Sequence, residues 1–513
     1  MARQLKNRWR SEPRKKYREH LSMKLAQLFS IFPQLRWGDA ATVDVVDITQ
    51  DSRAVHKGSV FVAIRGTAAD GHQFLQSAVE QGAVGLVLED MQNVPREYQG
   101  AVAQVPSTRR AFDLLAGRFY GDPAKELFCV GVTGTNGKTT TTYMIEKILT
   151  HFNWKTGVMG TIDHHLGEHR WPSALTTPDS LTLQRRLSEI KALGASAVVL
   201  EVSSHALAQA RVDSLPFAVG VFTNLTRDHL DYHRDMEDYF HAKERLFTEL
   251  LGNNSNCAVA VLNGDDPWIR KIRVREGVKV WWYGQSAGDF AFRSFKQNLA
   301  GTLVHLSTPR GSGEFQLAVP GLHNVYNATA AVAASMSAGV SLNAALAALA
   351  EFRGTPGRLE RVNNHKDLHI FVDYAHTDDA LRTVLQMLHD LKANSSKIIT
   401  VFGCGGDRDK GKRPLMGKVA ASLSDRVILT SDNPRKEDPL LILHEIKSGI
   451  SAAFAGELQI EPDRRQALAL ALQSAKEGDV ILVAGKGHED YQIVGKEKFS
   501  FSDQQVLGEL LKA

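Results

Sequence analysis

Short apolar runs rich in β-branched residues recur along this chain, and a segment of helical length follows each of them. The runs are Val60–Ile64, Val84–Leu88, Phe128–Val132, Ala197–Val202, Val219–Thr223, Ala258–Leu262, Ile370–Asp373, Ile398–Phe402, Arg426–Thr430 and Val480–Ala484. Buried strands alternating with helices predict parallel sheets covered by helices, so the chain is expected to be α/β throughout. An alanine-rich stretch, Asn327–Ala350, reads as one long helix. Two breaks punctuate the pattern. One lies near Pro106–Arg109, before a helix and a glycine-rich loop; the other is the loop Arg353–Gly357, with Gly354, Pro356 and Gly357. Internal repeats are not evident.

Length turns these breaks into domain limits. The chain has 513 residues, and at about 150 residues per domain three domains are expected. Their limits are set at 23–108, 109–355 and 356–513, after a basic leader of residues 1–22 that is expected to be disordered and solvated. The leader carries Arg3, Lys6, Arg8, Arg10, Arg14, Lys15, Lys16 and Arg18 against Glu12 and Glu19, and Met23 is an alternative start. An apolar segment of the secretory type does not follow it. The net charge is only +4, which does not force a nucleic-acid partner. Without an apolar stretch of about 18 residues, no membrane span is expected. Cys129, Cys257 and Cys404 lie far apart, which argues against a disulfide framework or a structural zinc site. A reducing cytoplasm and a monomer are the expectations, with neither nucleic acid nor membrane as partner.

The strongest local chemistry is Val130–Thr140, VGVTGTNGKTT. A strand leads into glycines, then Lys138, Thr139 and a helix. Gly134 and Gly137 let backbone N–H groups approach phosphate oxygens. Lys138 brings a cation to the β- and γ-phosphates, the Thr139 hydroxyl suits Mg²⁺, and the helix N-terminus adds its dipole. The strict pattern wants glycine where Val132 stands, so this is a variant loop. Downstream, Glu201 ends a strand in EVSSHALAQAR, where a carboxylate faces a ligand crevice and could hold Mg²⁺. TRDHLDYH places His229 and His233 four apart, one face if helical. Zinc would want a further ligand that the spacing does not supply. Thr176, Thr177, Ser203, Gln209 and Arg211 are hydroxyls, an amide and a cation suited to a polar, phosphate-bearing substrate. At Gly403–Pro414, Arg408 occupies the third glycine position of a dinucleotide fingerprint, which argues against nicotinamide binding. Thr430–Pro439, TSDNPRKEDP, lies at the end of a predicted strand. Arg435 there can fork onto a carboxylate and would be left unpaired before an ammonium.

TGTNGKTT resembles the ATP loop of the Mur ligases and the related folylpolyglutamate synthetases. Such enzymes phosphorylate a carboxylate and let an amine displace the phosphate. The resemblance extends over nearly the whole chain from about Met23. It implies an N-terminal UDP-binding α/β domain, a central P-loop ATPase domain with a parallel sheet and a C-terminal Rossmann-like domain. ATP would contact Gly134, Thr135, Asn136, Gly137, Lys138, Thr139, Thr140, Asn324, Asn327, Arg358 and Asp373, the last near His376. Thr139, Glu201 and His229 would hold Mg²⁺, with Lys138, Glu201, His229 and a carbamylated Lys243 as the catalytic set. The UDP-muramoyl substrate would contact Ser52, Thr176, Thr177, Ser203, Gln209 and Arg211, with weaker matches at Thr67, Ala68 and Ala69. Asp432-Asn433-Pro434-Arg435 matches the family's mark for meso-diaminopimelate over lysine, and Arg408, Gly485 and Glu489 match beside it. The family usually has proline where Asp378 stands, which puts the local turn in question. The implied activity is ATP-dependent addition of meso-2,6-diaminopimelate to UDP-N-acetylmuramoyl-L-alanyl-D-glutamate in peptidoglycan precursor synthesis. The rival readings are a lysine-adding or folate-extending ligase of the same fold, and a non-enzymatic P-loop scaffold.

Overall fold

The computed structural model describes residues 22–36, 41–66, 69–253, 257–285, 288–454 and 456–512. Residues 1–21 of the basic leader, with Thr67 and Ala68, lie outside the described residues. Two compact units divide the chain, residues 1–138 with 153–281, and residues 139–152 with 282–513. No described helix is long and apolar enough to cross a membrane.

The first unit holds strands of two larger sheets, beside a two-stranded ribbon of Met23–Lys24 with Asp44–Val45. Asp47–Thr49, Ser59–Val62, Gly85–Leu88 and Ala101–Gln104 pair in parallel, and Leu35–Arg36 adds an antiparallel edge. Leu25, Leu28, Phe29, Phe112 and Leu115 cover one face of this sheet with apolar side chains. The second sheet has a parallel centre of Thr156–Met159, Ala197–Glu201, Phe128–Thr133, Phe217–Phe222 and Val259–Asn263. These are the buried, near-continuous apolar runs of the sequence, and burial on both faces is what parallel strands require. The sequence reading missed the antiparallel edge, Asp163–Leu166 with His169–Pro172.

In the second unit, Phe290–Asn298, Gly301–Thr308 and Gly311–Leu317 form an antiparallel meander. The expected single helix Asn327–Ala350 is two helices, Leu322–Ser337 and Leu342–Ala350. Gly339 at φ 92° turns the chain between them, and Ser341 Oγ caps the second by accepting from Ala344 N at 3.3 Å. A six-stranded sheet follows, in the order Glu360–Val362, His369–Asp373, Val480–Ala484, Ile398–Phe402, Arg426–Leu429, Glu457–Ile460. All neighbours are parallel except the first pair. Apolar clusters cover both faces. Asp378 starts the helix Asp378–Leu391, with Thr377 Oγ1 accepting from Ala380 N at 3.3 Å. The turn that lacked the family's proline is therefore closed by a cap, and Asp378 and Asp379 face the positive helix end.

Candidate active site

The strand Phe128–Thr133 runs straight into the phosphate loop. Gly134 sits at φ 143°, and a Cβ there would lie 1.9 Å from Thr223 Oγ1, so no other residue fits. Thr135 N donates to Asn224 O at 2.9 Å, and Asn136 N donates to Asn224 Oδ1 at 2.9 Å. Lys138 Nζ donates to the carbonyls of Gly134 and Thr135 at 2.9 and 2.7 Å. The loop thus curls around its own ammonium. Thr139 and Thr140 open the helix Lys138–His151. Further along that helix Thr141 Oγ1 donates to Asn327 Oδ1 at 3.3 Å. Asn324 accepts from Asn327 Nδ2 at 3.5 Å, so the two asparagines expected near adenine form one buried pair.

Lys243 is 1 % exposed. Its Nζ donates to Gly134 O at 2.9 Å and lies 4.7 Å from the Tyr239 ring centroid. Burial, with Lys138 as a second cation nearby, holds its pKa well below the ordinary lysine value. The helix Met236–Arg245 carries it, and Asp235 caps that helix by accepting from Asp238 N at 2.8 Å. His229 and His233 do not lie on a helix, so the shared face that their spacing would give on one does not arise. They bracket a tight turn in which His229 has φ 54° and His233 N donates to His229 O at 2.9 Å. His233 is tied away, to Ser204 Oγ at 3.0 Å and Asp238 Oδ2 at 3.3 Å. His229 stays partly open, and burial followed by the charges of Lys138 and Lys243 lowers its pKa. His205 was missed by the sequence reading. Its ring lies 5.0 Å from His229 and 4.1 Å from Tyr232, and burial, then His229 and His233, push its pKa down to about 4. Only its place inside EVSSHALAQAR hinted at this.

Glu201 is buried and accepts from Thr161 N at 2.8 Å and Thr161 Oγ1 at 3.1 Å. Among the described residues, no three His, Cys, Asp or Glu side chains converge as a metal-ligand set. Glu201 is a hard oxygen donor, the kind that Mg²⁺ takes alongside substrate phosphates.

The five residues expected on the nucleotide-peptide substrate in this sheet form one network. Thr176 Oγ1 meets Thr161 Oγ1 at 3.1 Å. Thr177 Oγ1 donates to Glu201 O at 2.7 Å and to Ser203 Oγ at 3.2 Å. Arg211 forks onto Gln209 Oε1 at 3.1 and 2.6 Å and donates to Thr177 O at 3.1 Å. Ser52 belongs to the other sheet's loops, on the turn Ser52–Ala54, and among the described residues it takes no part in this network. Its neighbour Arg53 holds Asp51 at a pKa of about 2.

Four adjacent parallel strands of the second unit end in the remaining residues. Such strand ends form a ligand crevice. Asp373 accepts from Leu359 N at 2.6 Å and Ala375 N at 2.7 Å, and burial raises its pKa against the pull of Arg358. Arg358 lies over Tyr374, 4.9 Å from the centroid. After Ala484, Gly485 N donates to Asp373 O at 3.1 Å. After Leu429, Asn433 donates from Nδ2 to Glu489 Oε2 at 2.8 Å and accepts from Ile493 N at 2.9 Å. Gly406 packs against the Pro434 carbonyl. Arg435 adopts φ 52°, held by Arg435 N on Ile493 O at 3.0 Å. Its Nη1 donates to Gly406 O at 2.8 Å. Arg408 and Arg435 both approach Gly405, where a Cβ would lie 2.9 Å from Arg435 Nη1 and 3.7 Å from Arg408 Cγ. Among the described residues, no carboxylate pairs with Arg435. Asp432 lies buried beside Glu489, and burial raises its pKa against Arg464 and Lys486.

Family models match three stretches of this chain. They are described as Mur ligase family, catalytic domain, over residues 44–120; Mur ligase middle domain, over 132–335; and Mur ligase, glutamate ligase domain, over 357–487. The chain is 43% identical over 505 residues to a UDP-N-acetylmuramoyl-L-alanyl-D-glutamate–2,6-diaminopimelate ligase of Geobacter metallireducens, covering 94% of this chain and 98% of that one. A ligase of the same description from Geobacillus kaustophilus is 42% identical over 494 residues, covering 96% and 99%. A solved structure of an enzyme of that description superposes with a TM-score of 0.71 at 32% identity, covering 96% of this chain and 99% of that one.

Proposed function

Since the chain belongs to the Mur ligase family, we propose that it is an ATP-dependent ligase that adds meso-2,6-diaminopimelate to UDP-N-acetylmuramoyl-L-alanyl-D-glutamate, in peptidoglycan precursor synthesis. Residues 23–108 are taken as the UDP-substrate domain, 109–355 as the ATP domain and 356–513 as the amino-acid domain. The relatives at 42 and 43% identity over almost the full chain support the reaction. The observation within the fold that carries the choice of amino acid is Arg435. It is a half-buried guanidinium held by a backbone carbonyl, with no carboxylate partner among the described residues, on the loop whose Asn433 bonds the Glu489 carboxylate. Diaminopimelate ends in a carboxylate and an ammonium on one carbon; lysine offers only the ammonium.

The free γ-carboxylate of the D-glutamyl residue attacks the γ-phosphorus of ATP, and ADP leaves. The L-centre amine of diaminopimelate then attacks the acyl phosphate, and the tetrahedral intermediate expels phosphate to give the amide. Lys138 and the loop amides offset phosphate charge in this sequence. Arg211, Gln209, Thr176, Thr177, Ser203 and Ser52 hold the nucleotide-linked peptide. Asn324, Asn327, Arg358 and Asp373 hold the nucleoside side of ATP. Mg²⁺, held by Thr139, Glu201, His229 and the carbamate of Lys243, would neutralise the two anionic reactants.

Phosphate release with UDP-muramoyl-dipeptide and each amino acid tests the reading. Diaminopimelate should turn over, with lysine at least about 100-fold poorer in kcat/KM. Equal use of lysine would sink the assignment of Arg435. Lys138→Ala should abolish phosphate release, and retained turnover would remove the phosphate loop from the reaction.

A further inference from the structure

Beneath the Glu489 carboxylate lies a lysine that none of the assignments above uses. Lys486 follows the strand Val480–Ala484 and is 0 % exposed. Its Nζ donates to Glu489 Oε2 at 3.2 Å and to the Tyr491 carbonyl, and it lies 3.9 Å from Asp432 Oδ1. Glu489 Oε2 therefore receives both Lys486 Nζ and Asn433 Nδ2. Its Oε1 has no partner among the described residues, and the side chain is 17 % exposed. One carboxylate oxygen is pinned inward and the other is presented.

The second bond of Lys486 reaches the opposite arm of the pocket. Tyr491 begins the strand Tyr491–Val494. Ile493 of that strand accepts from Arg435 N at 3.0 Å, and Gly495 N donates to Arg435 O at 2.6 Å. One ammonium thus ties the acceptor of a cation to the strand that holds the acceptor of an anion. The charges around it are accounted for. Arg464 and Asp503 form a closed, fully buried pair, Nε–Oδ1 2.7 Å and Nη2–Oδ2 2.8 Å. Asp432 and Glu489 then share Lys486, which leaves one negative charge for an incoming ammonium. Tyr374, Tyr491, His376 and Cys404 are the other titratable groups that feel Asp432.

We propose that Lys486 is the positioning residue of this pocket. It fixes Glu489 with one oxygen outward and, through Tyr491, fixes the separation of that oxygen from Arg435, so that the pocket reads an ammonium and a carboxylate borne on one carbon. Handedness needs a third point, which the tether to the reacting L-centre supplies, so a displaced Glu489 oxygen also weakens discrimination between the isomers. The inference rests on the diaminopimelate reading.

Lys486→Met is the test, with kinetics for meso-diaminopimelate, its LL isomer, ATP and the UDP-linked dipeptide. KM for meso-diaminopimelate should rise roughly tenfold or more, with the KM values of ATP and the dipeptide unchanged. Preference for the meso over the LL isomer should narrow. With the ammonium gone, one of two adjacent carboxylates retains its proton to higher pH. The acid limb of kcat/KM for diaminopimelate should then move up by about one pH unit, and Lys486→Arg should move it back. Unchanged KM, unchanged isomer preference and an unmoved acid limb in a folded variant overturn the proposal. So does a loss shared equally by all three substrates. If Lys486→Met does not fold, Lys486→Met/Asp432→Asn restores the charge balance and carries the test. It should fold with a raised KM for diaminopimelate, and a wild-type KM and isomer preference there overturn the proposal. Failure of the wild-type protein to use diaminopimelate at all overturns the reading beneath, not the role of Lys486.

Discussion

Two buried ionisable residues show how the environment of a single side chain sets its chemistry. Lys243 is enclosed beside Lys138, and both effects favour the neutral amine. That is the form that adds CO₂, with loss of a proton, and the resulting carbamate would replace a repulsion with an attraction to Lys138. A carbamate carbon signal from ¹³C-bicarbonate is therefore expected in the wild-type protein and absent in Lys243→Ala. It should fade as the pH falls and protonation competes. No difference between the two spectra would remove the carbamate. Asp113 is a case of stability. Its Oδ2 accepts from Ser214 N at 2.6 Å, but burial pushes its pKa up to about 6. The folded pKa is raised above the unfolded one, so its contribution is fully present below pH 3.8 and is lost as the pH rises through about 6. The swing is on the order of 3 kcal/mol. Thermal midpoints at pH 5 and pH 8 should show a drop in the wild-type protein that is absent, or much smaller, in Asp113→Asn. Parallel curves for the two proteins would contradict the assignment.

Loops at strand ends carry the chemistry, and one glycine couples two of them. Gly357 has φ 65°, and a Cβ there would lie 2.0 Å from His488 N and 2.4 Å from Gly487 C. The chain after the Arg353–Gly357 break therefore packs backbone to backbone on the loop that carries Lys486 and Glu489. Gly357→Ala should lower the melting midpoint and raise KM for the amino acid more than KM for the UDP-linked dipeptide, measured on the same preparation. Equal KM effects would mean that the loop does not move independently. The strands behind these loops were legible because continuous apolar runs such as Ile398–Phe402 and Val480–Ala484 report burial on both faces. Other elements were not. Phe290–Asn298, FAFRSFKQN, is a half-covered strand whose charges hide it from a search for apolar runs. The alanine run 327–350 has helical propensity throughout, yet Gly339 and the Ser341 cap divide it. His229 and His233 have helical spacing without a helix, since spacing is silent about φ. Likewise DNPR marked the loop after Leu429, but the buried contacts of Lys486 depend on three strands meeting, which no local window contains.

At the scale of the whole chain, compactness and sequence order part company. Residues 139–152 group with residues 282–513, although the loop they follow groups with the first unit. Glycine and proline punctuation marks where elements end, but it is silent about which elements pack together. The last stretch is different. Its six-stranded sheet draws every strand from 360 onward. The apolar clusters on its two faces come from the same stretch, apart from Leu299. Its buried ion pairs, Arg464–Asp503 and Arg413–Glu437, are also internal to it. A polypeptide of residues 356–513 thus contains nearly all the apolar burial it needs, at a length well within the range of independently folding domains. That fragment is expected to melt in one cooperative transition, with a midpoint below that of the full chain because Leu299 is lost. It should neither hydrolyse ATP nor release phosphate with any amino acid, since Lys138, Glu201 and Lys243 lie outside it. Circular dichroism through a thermal ramp, alongside a Leu299→Ala full-length control, separates the alternatives. A fragment with a broad, non-cooperative transition would mean that this sheet takes its order from the rest of the chain.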